Sequence, residues 1–191
     1  MVDHDALEQV AERWLSTLQH DFKDYLRVVA DDPDLDDGLR DNVVTALLYI
    51  LAPGDVVPDS MGALGYLDDA LAMRVALDEV RAKQPAQFDA YRDRIPELID
   101  SVEGEGSDLE VFREALGDVY EPFKARVFSP ERNEVKGKRA KELIEDPDGA
   151  NWLNEEVLVT SLKMDFKPAA LQSAARKAAT VIPIFQQKLR R

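Results

Sequence analysis

The sequence predicts an all-α, single-domain helical bundle built around a central helical hairpin. Three observations carry that reading. Apolar residues recur at three- and four-residue spacing through most of the chain, and no polar–apolar alternation is long enough for a strand. A length of 191 residues, 45 % of them hydrophobic and 32 % charged, suits one buried core.

The first helix runs from Asp5 to Val29, with Leu7, Val10, Ala11, Trp14, Leu18, Phe22, Tyr25 and Val29 on one face. DDPDLDD at 31–37 is an acidic turn, because Pro33 rules out an uninterrupted helix. A second helix runs from about Asp36 to Leu51 and stops there, since the ring of Pro53 disfavours α geometry at Ala52. A third begins near Asp59 and Ser60, both good N-cap types, and continues to about Val80. Leu64, Leu67, Leu71 and Val75 form one stripe of it, and Tyr66, Ala70, Met73 and Leu77 cover the opposite side. A helix apolar nearly all round belongs in the middle of a bundle.

Pro85 opens a fourth helix reaching about Ile99, and SVEGEGSD at 101–108 is a flexible link. Ser107 with Glu110 makes a capping box for a fifth helix, which carries Leu109, Phe112, Leu116, Val119 and Phe123, with a kink at Pro122. Residues 129–150 are the least apolar part and hold Lys136, Lys138, Arg139 and Lys141; a short mobile helix or loop is expected. Asn151 to Leu162 is a further short helix, and Pro168 to Leu189 a single last one.

Composition excludes several chemistries. Without cysteine there is no disulfide, no thiolate nucleophile and no Cys-ligated zinc or iron–sulfur centre, which fits a reducing compartment. MVDHDALEQVAERW lacks the basic and apolar regions of a secretory signal, so a cytoplasmic protein is expected. The longest uncharged run, Asn42 to Gly54, falls short of the ~20 apolar residues that span a bilayer. No integral membrane segment is expected.

The net charge of −14 is uneven. Residues 1–110 hold 26 acidic against 9 basic residues, and residues 111–191 hold 12 against 15. An acidic half of that size repels nucleic acid and suits a basic protein partner. The run Lys136–Lys141, with Arg190 and Arg191, has no interleaved aromatics and reads as a solvated face. His4 and His20 read as surface residues. No G-x-S-x-G, Walker A or dinucleotide motif occurs, and no cofactor is expected.

The chemistry concentrates at 42–77. There P-x-D-x-V-P-D, from Pro53 to Asp59, is followed by L-G-Y-L-D-D, from Leu64 to Asp69. This pairing of two prolines with four aspartates resembles the YkvA-like family, a bacterial family of unknown function. The resemblance implies the hairpin and carries no reaction to transfer. Gly54, and Ser60-Met61-Gly62, stand where that family has more apolar residues, so this elbow is more polar and flexible.

The candidate residues are Pro53, Asp55, Pro58, Asp59, Gly65, Asp68 and Asp69. Asp68 falls close to the buried stripe of its helix, and neither it nor Asp69 has a Lys or Arg at helical spacing. A buried carboxylate needs donors, a cation or a proton, so its partners are tertiary. Elbow amides, the Tyr49 hydroxyl and Arg27, Arg40 or Arg74 are the candidates. In a structural role, Asp55 and Asp59 cap turns while Asp68 clamps the elbow. The alternative is a divalent-cation site of Asp55, Asp59 and Asp68. Asp69 is left out of it because neighbours on a helix diverge by about 100°.

Three functions follow. The leading one is a non-enzymatic interaction or regulatory protein that uses its acidic helical surface to bind a protein partner. The others are a metal-dependent hydrolase or phosphoesterase using the hairpin aspartates, and a peripheral membrane-associated protein.

Overall fold

The computed structural model describes residues 3–190; Met1, Val2 and Arg191 of the segments discussed above lie outside the described residues. The described residues are organised as helices joined by turns and short irregular links. Among the described residues there is no strand, only an isolated bridge between Val135 and Lys138.

Helix α1 (His4–Asp24) starts at Asp3, whose side chain accepts from the Ala6 amide, and continues as a π-helical turn over Tyr25–Ala30. Helix α2 (Asp37–Leu51) ends where Pro53 requires it, with Ala52 extended at φ −81°, ψ 148°. An irregular elbow then leads into a 3-10 segment, Asp59–Tyr66, and into α3 (Leu67–Lys83).

Helix three was expected from Ser60, and its regular part begins at Leu67. The cause is Gly62, at φ 65° and ψ −139°, a conformation that interrupts the helix and that side chains rarely adopt. The expected fourth helix is two, α4 (Pro85–Ala90) and α5 (Pro96–Asp100), because Pro96 pushes Ile95 out of helical geometry.

Helix α6 (Asp108–Leu116) is capped by Ser107, whose hydroxyl accepts from the Glu110 amide at 3.4 Å. The chain then breaks at Gly117 (φ 55°) rather than at Pro122. That proline sits in the first turn of α7 (Tyr120–Val127), where its missing amide leaves no bond unmade.

Residues 129–150 hold a turn and α8 (Ala140–Glu145), anchored by the buried Asn133, Val135, Ala140 and Leu143. After α9 (Gly149–Ser161), the expected last helix is split into α10 (Pro168–Ala175) and α11 (Val181–Leu189). Pro183 lies in the first turn of α11 and would collide with the preceding turn of a continuous helix.

Helix α3 is the centre, packed against α1, α2, α4, α6 and α7. Every residue from Leu67 to Leu77 is buried, as its all-round apolar pattern requires. Arg74 is buried with them. It pairs with Asp21 at 3.0 Å, donates to the Ser101 hydroxyl and the Ala70 carbonyl at 2.9 Å each, and lies over the Trp14 ring at 4.3 Å. This buried cation is therefore committed to α1 and α5, away from the elbow.

Candidate metal centre

The close approach at Gly65 builds the site. A Cβ there would lie 2.7 Å from the Pro58 carbonyl oxygen and 2.8 Å from the Asp59 Cα. Only glycine lets the elbow fold back so tightly over the start of α3. The fold-back lays the amides of Val56 and Val57 on the Asp68 carboxylate. Asp68 Oδ2 accepts from the Tyr49 hydroxyl at 2.7 Å, from the Val56 amide at 2.7 Å and from the Val57 amide at 3.0 Å. Asp68 is 0 % exposed and Asp69 is 1 % exposed.

The remaining carboxylate oxygens are not matched in this way. Oδ1 of Asp55, of Asp68 and of Asp69 is each buried without a hydrogen-bond partner. One oxygen from each of the three residues lies within 4.8 Å of the others. Among the described residues none of the ion pairs includes Asp55, Asp68 or Asp69. Lys188 of α11 comes nearest in kind, and it donates to the Asp55 backbone carbonyl at 3.0 Å.

Three carboxylates sharing one space, two buried and one half-buried, raise one another's proton affinity. Burial, followed by the charges of Asp68 and Asp59, pushes Asp55 up to about 8. Burial pushes Asp68 up to about 6, opposed by its three donors. Asp69, buried beside Asp68 and without comparable donors, is held well above the usual carboxylate range. Tyr66 is raised too, by burial and then by Asp59, Asp69 and Asp55.

The sequence places Asp59 in the group and leaves Asp69 out; the structure groups Asp55, Asp68 and Asp69, with Asp59 exposed at the mouth. The 100° argument fails for a physical reason. Asp68 and Asp69 lie in the first turn of α3, where side chains lean toward the N-terminus, and the elbow sits over that end rather than beside the helix. Pro53 and Pro58 shape the elbow and touch no carboxylate oxygen through a hydrogen bond. Arg27, Arg40 and Arg74 do not pair with these aspartates.

Two contacts had no local sequence signal. Arg126 of α7 donates to the Gly54 carbonyl from 72 residues away, and Lys188 reaches Asp55 from 133 away.

A family model described as "Protein of unknown function (DUF1232)" matches residues 43–73. The matched stretch holds Tyr49, the elbow and all seven candidate residues, so the site lies wholly within the part of the chain that resembles that family. No curated protein and no solved structure matches the chain. Among the described residues no helix is long and apolar enough to cross a membrane.

Proposed function

We propose that this is a non-enzymatic interaction or regulatory protein whose hairpin elbow takes one divalent cation through Asp55, Asp68 and Asp69. The observation behind the reading is a cluster of three carboxylates, Asp68 and Asp69 buried and Asp55 half-buried, each with an unpartnered buried oxygen and each placing one oxygen within 4.8 Å of the others, with no ion-paired cation among them. Hard oxygen donors suit magnesium, calcium or manganese. Ligands held 2.3–2.6 Å from a calcium ion lie at most about 5 Å apart, which the 4.8 Å spread satisfies, and the shorter bonds of magnesium require the oxygens to draw in to about 4 Å.

The depth of Asp68 and Asp69 supports a clamp on the hairpin rather than a hydrolytic centre, which needs an open position for water and substrate. Two surfaces support a protein partner. One is the acidic first half of the chain; the other is the end of α9, where Leu158, Val159 and Leu162 are 57, 57 and 67 % exposed. The YkvA-like assignment of the hairpin and a cytoplasmic location belong to the same reading, supported by the Pro53–Asp69 motif and the absence of cysteine.

The test is thermal unfolding of chelator-stripped protein with millimolar magnesium, calcium or manganese. A saturable rise in Tm is expected, equivalent to about 2.7 kcal/mol when the ion stands at 100 times its Kd. Asp69→Asn should abolish it, and Asp34→Asn, in the exposed acidic turn, should not. No response of the parent protein to any of the three ions overturns the reading.

A further inference from the structure

Against the elbow lies a cavity of about 220 Å³ lined by Tyr49, Ala52, Gly54, Arg126, Arg132 and Asn133. It is smaller than the pockets that hold drug-sized ligands. Its charge is out of keeping with the rest of the molecule. In a chain of net charge −14, two guanidinium groups border one small space, and among the described residues neither Arg126 nor Arg132 enters an ion pair. By contrast, the arginines of the larger cleft between α1 and α6 are neutralised in place, Arg13 by Asp108 and Arg74 by Asp21.

The wall of the cavity is fixed. Asn133 is buried and its amide donates to the carbonyls of Arg126 at 3.1 Å and Val127 at 2.6 Å. These are carbonyls at the C-terminal end of α7, the end whose partial negative charge would repel an anion. Asn133 satisfies them and holds the turn carrying Arg132 against the helix carrying Arg126. The Gly54 carbonyl anchors Arg126 from the opposite wall. A Cβ at Gly54 would meet nothing within 4 Å, so no side chain crowds the backbone at that lining residue.

We infer that this cavity binds a small oxyanion of phosphate chemistry, either free phosphate or the phosphoryl group of a monoester, between the Arg126 and Arg132 guanidiniums. Planar forks of fixed donors match tetrahedral oxyanions in geometry as well as in charge, which gives recognition that the overall negative field of the molecule does not. The inference stands on the cavity and its two arginines and does not depend on the cation reading.

Calorimetric titration of the full chain at matched ionic strength tests it, with inorganic phosphate, phenyl phosphate and potassium chloride as titrants. Saturable binding of phosphate or phenyl phosphate is expected, with none for chloride. Tighter phenyl phosphate binding identifies a monoester as the ligand, and binding of inorganic phosphate alone identifies the free ion. Arg132→Ala removes an exposed side chain and should weaken the anion about tenfold or more, since it deletes a charged hydrogen-bonding partner. Arg126→Lys, which keeps the charge and loses the fork, should weaken it also.

The magnesium-induced Tm shift of Arg132→Ala should equal that of the parent, so the two sites can fail separately. Absence of saturable binding by either phosphate compound, or an Arg132→Ala protein that binds as tightly as the parent, overturns the inference.

Discussion

Asp68 and Asp69 are adjacent and equally buried, yet their surroundings set opposite expectations for stability. Asp68 Oδ2 receives three donors, two of them main-chain amides: Val57, which has no other acceptor, and Val56, whose only other acceptor is the Tyr49 hydroxyl at 3.2 Å. Asp68→Ala strands those amides and is expected to cost about 2–4 kcal/mol in urea melts, at roughly 1–3 kcal/mol for each buried donor left unpaired. Tyr49→Phe, which removes one donor to the carboxylate and one acceptor for Val56, should cost about 1–2 kcal/mol. Asp69 has the reverse character, because it contributes charge to a crowded site without a matching set of donors. In chelator at pH 8, Asp69→Asn should therefore melt above the parent, while losing the response to magnesium. A less stable Asp69→Asn protein in chelator would show that the Asp69 carboxylate has a donor that the geometry does not reveal.

At the scale of elements, the hairpin depends on the contact between Gly65 and the Pro58 carbonyl. Gly65→Ala places a methyl group against main-chain atoms at 2.7 and 2.8 Å, neither of which can swing away. Destabilisation of about 2–3 kcal/mol is expected, as for other overpacked sites, together with weakened cation binding. Gly54→Ala, with nothing within 4 Å, should change stability by no more than about 0.5 kcal/mol. Urea melts of the pair decide.

Much of this was legible in the residues. Pro53 marks the end of α2, Ser107 with Glu110 marks the start of α6, and the all-round apolar pattern marks α3 as the central helix. Breaks set by glycine were not legible, because Gly62 and Gly117 look like tolerated helix residues until the backbone shows positive φ. Asp69 is among the candidate residues but falls outside the cation set read from sequence, because helical projection gives the angle between two side chains and says nothing of a partner lying across the helix end. Arg126 and Lys188 were missed because no sequence pattern links them to the elbow they hold.

For the whole molecule, the buried carboxylates give stability a distinctive dependence on pH. In the unfolded chain all three titrate near 4. In the folded state, burial first and neighbouring charge second raise Asp68 to about 6 and Asp55 to about 8, with Asp69 also raised. The folded protein thus keeps protons that the unfolded chain has released. The associated stability is full below about pH 4 and is lost as the pH rises through about 6 and then about 8. A divalent cation takes the place of those protons and should cancel the loss. Melting curves in chelator and in magnesium are expected to converge near pH 5 and to separate progressively toward pH 9. Parallel curves would mean that the cation does not replace protons at this site.

The paired Val56 and Val57 amides have a spectroscopic consequence. Both donate to a single side-chain oxygen, at 2.7 and 3.0 Å, rather than to a backbone carbonyl. Hydrogen bonds to an ionised acceptor are shorter and stronger than neutral ones, and the amide protons involved are correspondingly deshielded. In a nitrogen–proton correlation spectrum these two signals should stand downfield and move together when Asp68 takes up a proton or when a cation engages its other oxygen. The elbow thereby carries its own built-in reporter of occupancy, readable without any label beyond nitrogen-15.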